Sequence, residues 1–502
     1  MKNRFITAAL SFVAVACSGG YEFADMYEGL PFEMPRVERP SIPSRSACLS
    51  EFGGVPDGVT LNSEAFEKAI NSLSEAGGGH LIVPEGLWLT GPITLRSGVD
   101  LHLEKNAVIL FKPDFDLYPI IDANFEGLDT RRHTSPINAR GQKNISITGN
   151  GIIEGNGQYW RELIRKNVAP RVWDRHIETM GGVTTDERWY PSQGYIDGRT
   201  ASKTLNVPEY TLDENRIVPF YRPVMVNLVD CENVLLEGCT YQNSPCWNIH
   251  PLWCKNLIIK DVTVRAPDYS VNGDGFDIDG CENVLVTGCT LDVGDDGICI
   301  KSGKNEDGRR HAKPCHNMII KNCTVYHGHG GFVIGSEMSG GAWNIKVSDC
   351  SFLGTDTGLR FKTTRGRGGV IRDIWADNIN MTDIVRHAVI FNLYYAGRSA
   401  KTAGQGQSDE VKEDIMPVDE TTPEVRDIHF SNINCTGSEV TLFINGLPEL
   451  PVSGLTFENC SIRGESGADI NHARNLSFRN VTFPGVKGEQ FSTNDVEGMT
   501  IL

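Results

Sequence analysis

The sequence predicts an all-β chain wound as a single right-handed parallel β-helix, with an N-terminal capping helix and long loop excursions. Three observations predict it: nine segments share four apolar columns, their starts recur at solenoid spacing, and glycine is abundant at 53 of 502 residues. Such glycine content suits many tight turns rather than long helices.

The columns are counted from Asn233, Asn256, Asn283, Asn317, Asn344, Asp373, Asp427, Gly454 and Asn475. One residue later stand Val234, Leu257, Val284, Met318, Ile345, Ile374, Ile428, Leu455 and Leu476. Three later the row runs from Leu236 and Ile259 to Phe457 and Phe478, and eight later from Tyr241 and Val264 to Ile462 and Phe483. Six later it includes Cys239, Cys289, Cys323, Cys350 and Cys460, and every position in all four columns is apolar. Offsets one and three, then six and eight, describe two short strands of period two separated by a corner. The first six starts lie 23 to 34 residues apart, a repeat length at which one coil cannot bury its inner face alone and neighbours must stack. Asn and Asp at the starts fit a stacked turn.

The same columns account for most of the 14 cysteines, because Cys231, Cys254, Cys281 and Cys315 also lie two residues before their starts. Stacked small apolar side chains explain them. Cβ atoms about 4.8 Å apart on neighbouring strands exceed the usual disulfide separation, although an exported chain leaves some pairing open. No CxxC pair occurs, which disfavours zinc.

Ala65, Phe66, Ala69, Ile70 and Leu73 form a helical stripe behind a candidate N-cap at Asn62, ended by Gly77-Gly78-Gly79; this helix caps the open strand edge. Strands follow over Leu81–Val83, Val99–Leu103 and Ile145–Ile147. Residues 157–222 break the repeat with Trp160, Trp173, Trp189, Tyr190, Tyr195 and eight arginines, an excursion on one side of the solenoid. Residues 398–424 are polar and form a second, mobile loop.

At the N-terminus, Lys2 and Arg4 precede an apolar stretch from Phe5 to Ala16, the pattern of a secretory signal peptide over 1–16. Ala14-Val15-Ala16-Cys17 resembles a bacterial lipobox, with Ala14 where Leu is usual; it implies lipidation of Cys17 and an outer-membrane lipoprotein on the periplasmic or cell-surface face. An ordinary signal peptide with an incidental Cys is the plainer reading. Residues 17–47, with four prolines at 31, 35, 40 and 43, form a tether, leaving 48–502 as the β-helix domain. No apolar run reaches the roughly 18 residues that span a bilayer. A net charge of −17, from 64 acidic against 47 basic residues, argues against nucleic acid and anionic lipid as partners. An acidic substrate then needs a local basic patch.

Such a patch can be placed. Aligning Gly275, Gly297, Gly331 and Gly358 puts Asp274 over Asp296 and His329 over Asp295. Arg360 projects two residues after its glycine, in the column of Asp277 and Cys299; Lys362 projects four after, in that of Asp279 and Lys301. Cys246-Trp247-Asn248-Ile249-His250 fits the frame with His250 in the Lys301 column. Carboxylates one coil apart cannot all ionise freely, so one proton affinity rises, which is what glycoside hydrolysis asks of an acid and a base. Singly, these residues have plainer explanations: a turn for Asp-Asp-Gly, a solvated face for Arg-Phe-Lys, a calcium site for paired carboxylates. Their co-location over four coils favours chemistry.

Asn272-Gly273-Asp274, Asp295-Asp296, Gly328-His329-Gly330 and Arg360-Phe361-Lys362 together resemble the polygalacturonase family of glycoside hydrolases, family twenty-eight. Phe52 to Thr60 and Asn243-Ser244-Pro245 with Trp247 and His250 add to the resemblance, which runs from about residue 50 to the end. Gly273 departs from the family's usual Thr and loosens the turn before Asp274. The resemblance implies inverting hydrolysis of galacturonic acid linkages, with roughly 6.5–9.5 Å between acid and base. It implies Asp295 as general acid, Asp274 and Asp296 holding the water, and His329 keeping Asp295 protonated. Arg360 and Lys362, with Lys301 and His250, would bind the sugar carboxylate. The implied partner is an acidic plant polysaccharide, pectin or galacturonan oligosaccharides, with no cofactor and no metal; the membrane is met only through the lipid anchor. The excursion, walling one end of the cleft, points to exo action. A rhamnogalacturonan or xylogalacturonan backbone, a β-helix pectate lyase and a non-catalytic glycan-binding solenoid remain alternatives.

Overall fold

Asn233 and its counterparts all lie at positive φ, between 52° and 67° from Asp427 to Gly454, which bends the chain into each coil. Asn tolerates that conformation because its short amide finds local partners. Here the amides bond to one another: Nδ2 of Asn256 donates to Oδ1 of Asn233 at 3.0 Å, Asn283 to Asn256 at 3.1 Å, Asn317 to Asn283 at 3.2 Å and Asn344 to Asn317 at 3.1 Å. A second positive-φ column follows five residues after each start, at Gly238, Asp261, Gly288, Asn322, Asp349, Asn378, Asn432, Asn459 and Asn480. This is the corner between the two short strands.

The computed structural model describes residues 21–202, 217–395 and 415–502. Thirty-four strands pair into one parallel sheet wound as a β-helix. Three rows run along it. The first includes Glu232–Glu237, Lys255–Lys260 and Glu282–Thr287; the second includes Thr240–Gln242, Thr263–Arg265 and Thr290–Val293. The third includes Ile249–Leu252, Phe276–Asp279, Asp296–Lys301, Gly330–Ile334, Thr357–Lys362 and His387–Asn392. Register follows the columns: Val234 pairs with Leu257, Leu257 with Val284, Val284 with Met318 and Met318 with Ile345. Inward residues of all three rows form one continuous core, with rings stacked at 4.6 Å (Phe430 on Phe457) and 5.0 Å (Phe457 on Phe478). All 13 cysteines among the described residues are free, and several thiols bond to backbone of a neighbouring coil, as Cys254 Sγ does to Leu228 O at 3.1 Å and Cys281 Sγ to Pro251 O at 3.3 Å.

Helix α1 (Ser63–Glu75) buries Ala65, Phe66, Ala69, Ile70 and Leu73 over the first coils, as the stripe requires. Asn62 stands at its N-cap but caps nothing. Its buried amide instead accepts from Val55 N at 2.7 Å and donates to the Val55, Thr60 and Leu89 carbonyls, pinning the loop before the helix.

Two segments differ from expectation. The signal peptide and Cys17 lie outside the described residues, but from Tyr21 the supposed tether is laid against the first row. Phe23, Met26 and Val37 bury the outward-facing Leu235, Ile258, Leu285 and Ile319, and Arg39 bridges Glu22 and Glu237 at 2.5 and 2.7 Å. The four outward residues sit two after their starts, an apolar column on a face that otherwise meets water. The expected 398–424 loop falls outside the description up to residue 414. In the 157–222 excursion, α2 (Pro170–Met180), α3 (Gln193–Ser202) and three short antiparallel strands enclose Leu163, Trp173 and Trp189, packed against Tyr269 of the solenoid. An antiparallel hairpin, Ile120–Phe125 with Leu128–His133, was not anticipated; the Phe125 ring packs tilted on Trp247 with centroids 4.5 Å apart.

Candidate active site

The turn entering the third row carries the expected groups. Register pairs Phe276 with Ile298 and Asp296 with Gly330, so Asp274 stacks on Asp296 and Asp295 on His329. One oxygen from each of Asp274, Asp295 and Asp296 lies within 4.8 Å of the others. This nearest approach of single oxygens is shorter than the separation between whole carboxyl groups that distinguishes inverting from retaining enzymes.

The three carboxylates are not equivalent. Asp274 is buried and its Oδ1 has no hydrogen-bond partner among the described residues. Burial first, then the charges of Asp295 and Asp277, push its carboxyl well above the usual range. Asp296 is equally buried, and burial alone would raise it too; Lys362, Arg360 and Lys301 outweigh that and hold it below the usual range. Lys362 Nζ donates to Asp296 Oδ2 at 2.6 Å and Arg360 Nη1 to Oδ1 at 3.3 Å. Asp295 alone of the three reaches the groove, its side chain 21% exposed against 2% for Asp296. It accepts from the Asp296 backbone N–H at 2.9 Å and shares a 2.9 Å hydrogen bond with His329 Nδ1. That bond raises the His329 imidazole above its ordinary value.

Three carboxylates at this spacing also suit a divalent ion. Two cations already bonded to Asp296 work against it, because they occupy its oxygens and repel a third positive charge. The arrangement is one of proton transfer: an ionised carboxylate fixed by cations, a buried carboxyl that keeps its proton, and a groove-facing carboxyl paired with an imidazole.

The family model described as Glycosyl hydrolases family 28 matches residues 219–487, more than half of the chain. The chain belongs to that family. It is therefore a glycoside hydrolase, acting on O-glycosyl bonds. A hyperthermoactive exopolygalacturonase from Thermotoga maritima of known structure is 31% identical, with 89% of this chain and 94% of that one covered at a TM-score of 0.74. A probable polygalacturonase of Vitis vinifera is 29% identical over 84% of this chain and 74% of its own length. An exo-poly-alpha-D-galacturonosidase of Dickeya chrysanthemi is 25% identical over 88% of this chain and 71% of its own.

Within this family 28 site, two expected substrate ligands lie beneath the groove instead of lining it. Lys301 is buried, bonded to Glu337 at 3.1 Å, 3.5 Å from Asp277 and 4.6 Å above the Trp247 ring. His250 is buried, 3.4 Å from Asp279 and bonded to Asn227. It also sits two residues from its expected register: Ile249 pairs with Phe276, which sets His250 in the column of Asp277 and Arg360, not that of Lys301. Lys362 is buried against Asp296; Arg360, also bonded to Asp296 but 22% exposed, is a cation that faces the groove. Tyr395, with its ring 5.7 Å from Arg360 and 5.0 Å from Lys362, and Glu337, held at about 2 because Lys301, Lys304, Lys362 and Arg367 outweigh its burial, went unrecognised in the sequence. No local pattern marks either.

At the Gly273 turn a Cβ would lie 2.0 Å from Ser270 Oγ, so a larger residue there would displace the Ser270 side chain from the turn. The excursion fixes it from beyond: buried Arg222 donates to Asn272 Oδ1 at 3.1 Å and to the Pro245 and Val271 carbonyls, and Arg161 to Ser244 O and Asn243 Oδ1.

Proposed function

We propose that this hydrolase cleaves linkages between galacturonate units of pectin, removing units from a chain end with inversion at the anomeric carbon. The observation that carries the reading is the division of labour among the three carboxylates. Asp295 meets the substrate and protonates the leaving oxygen, its proton shared with His329. Asp296, held ionised, and Asp274, whose Oδ1 is free to accept, bind the attacking water, and Asp296 takes its proton. Arg360 receives the sugar carboxylate, while Lys362 keeps Asp296 charged. A groove-facing guanidinium in a chain of net charge −17 supports an acidic sugar as substrate. The excursion beside the Asp274 turn, together with exo-acting relatives, supports attack at an end.

Incubation with polygalacturonate, following reducing ends, double-bond absorbance and product length, tests it. Saturated short products that vanish in Asp295→Asn are expected; an unsaturated product would make the protein a lyase, and a ladder of long products would make it endo-acting.

Export and lipidation at Cys17 belong to the same proposal, on the strength of the first 17 residues. Palmitate labelling lost in Cys17→Ala is the expected result; labelling that persists, or none in the unaltered protein, would reject the anchor.

A further inference from the structure

Between helix α2 and the solenoid turns at Asn243 and Pro267–Tyr269 the excursion leaves a cleft of about 790 Å³. One face of α2 supplies Arg171, Val172, Arg175, His176, Thr179 and Met180, the i, i+4 spacing that aligns side chains along a helix. Arg161, Gln158 and Tyr269 complete it, and no carboxylate is among the lining residues, in a chain with 64 acidic groups. Arg161 is buried and bonded to backbone and Asn243, but Arg171 and Arg175 are exposed, and the buried His176 Nε2 has no hydrogen-bond partner among the described residues.

The cleft is braced by buried aromatic residues and adjoins the carboxylates. Trp173 of α2 is buried with Leu163 and Trp189, and Tyr269 packs on the same cluster. Ser270, next to Tyr269, lies where a Cβ on Gly273 or Gly294 would meet it at 2.0 and 2.8 Å, and those glycines directly precede Asp274 and Asp295. On the C-terminal side of the site, a groove of about 880 Å³ is lined by Asp383, Glu439 and Glu465 against Arg463 and Lys487. Two exposed arginines therefore face a cleft on the N-terminal side, with the carboxylates of Asp174, Glu178 and Asp268 nearby but not among the lining residues.

We propose that Arg171 and Arg175 form a second carboxylate-binding subsite. It takes a galacturonate unit on the N-terminal side of the scissile bond, beyond the one that Arg360 faces, with Tyr269 offering its ring to the pyranose face. The inference rests on the substrate reading above. It makes the excursion a charge-reading element and not merely a wall.

The test compares the full protein with an Arg171→Ala/Arg175→Ala double variant and the corresponding double Lys variant on trigalacturonate, at low and moderate salt. Both positions are exposed, so the melting temperature should not change. KM is expected to rise about tenfold with kcat within about twofold, from the loss of charge-assisted hydrogen bonds. The salt dependence of KM should flatten, and the Lys variant should recover much of the affinity. Unchanged KM and salt dependence with intact kcat would overturn the subsite alone. If the unaltered protein cleaves no galacturonan, the substrate reading fails and the subsite falls with it.

Discussion

Glu439 and Glu465 stand one above the other in the turns that enter the paired third-row strands Val440–Asn445 and Ser466–Arg474, in the column of Asp295 and His329, one residue before that of Asp274 and Asp296. One pair is the heart of the site and the other is plain surface. The offset of one residue turns Glu439 and Glu465 to the other face of the chain, and their surroundings differ with it. Asp274 and Asp296 are buried, with Lys362, Arg360 and Lys301 at hand, whereas Glu439 and Glu465 are exposed beside Arg463 and Lys487. Carboxylates one coil apart are therefore not enough for acid–base chemistry. Burial separates their proton affinities, and fixed cations decide which of them ionises.

Substitutions can break that contrast. Asp295→Asn should lower turnover by about 10³-fold, the scale of a lost general acid, with an unchanged circular dichroism spectrum. Lys362→Met leaves Asp296 buried with only Arg360 and the more distant Lys301; loss of one member of a buried pair costs about 3–5 kcal/mol, to be read by chemical denaturation, and activity should fall with it. Asn317→Ala removes one rung of the amide ladder and places a Cβ-bearing residue without a compensating amide at φ 57°, and should cost about 2 kcal/mol with kcat retained.

His329→Ala sharpens the contrast through pH. Because the hydrogen bond to Asp295 raises the imidazole, its proton persists above the usual His range and is lost as pH rises through the raised value. The alkaline limb of kcat/KM should move toward lower pH in the variant, while the acid limb, set by ionisation of the low-lying Asp296, stays in place. Glu465→Gln, in the surface pair, should alter stability by less than about 0.5 kcal/mol and leave the pH profile unchanged.

Much of this was legible in the sequence because solenoid stacking repeats one constraint at fixed offsets. The four columns, the α1 stripe and the stacking of Asp274 on Asp296 all follow from it. His250 was misplaced for a related reason. A slip of two residues keeps Ile249 facing inward, so strand periodicity does not detect it; the backbone pairing of Ile249 with Phe276 does. The docked N-terminal strap had a visible signal that went unused, the outward apolar column Leu235, Ile258, Leu285 and Ile319. Glu337 and Tyr395 had none, since each reaches the site from outside the repeating frame. Lys301 looked like a substrate ligand because its column is right, but the depth of that column below the groove is set by Trp247 and Glu337, which sequence spacing does not order.

The central claim is that the Asp295–His329 pair and the clamped Asp296 carry out inverting hydrolysis at a chain end. Proton NMR of the first product formed from polygalacturonate tests it most directly. The account predicts saturated galacturonate units whose anomeric configuration is opposite to that of the cleaved bond. A product with the configuration retained, or one carrying a new double bond, would contradict it.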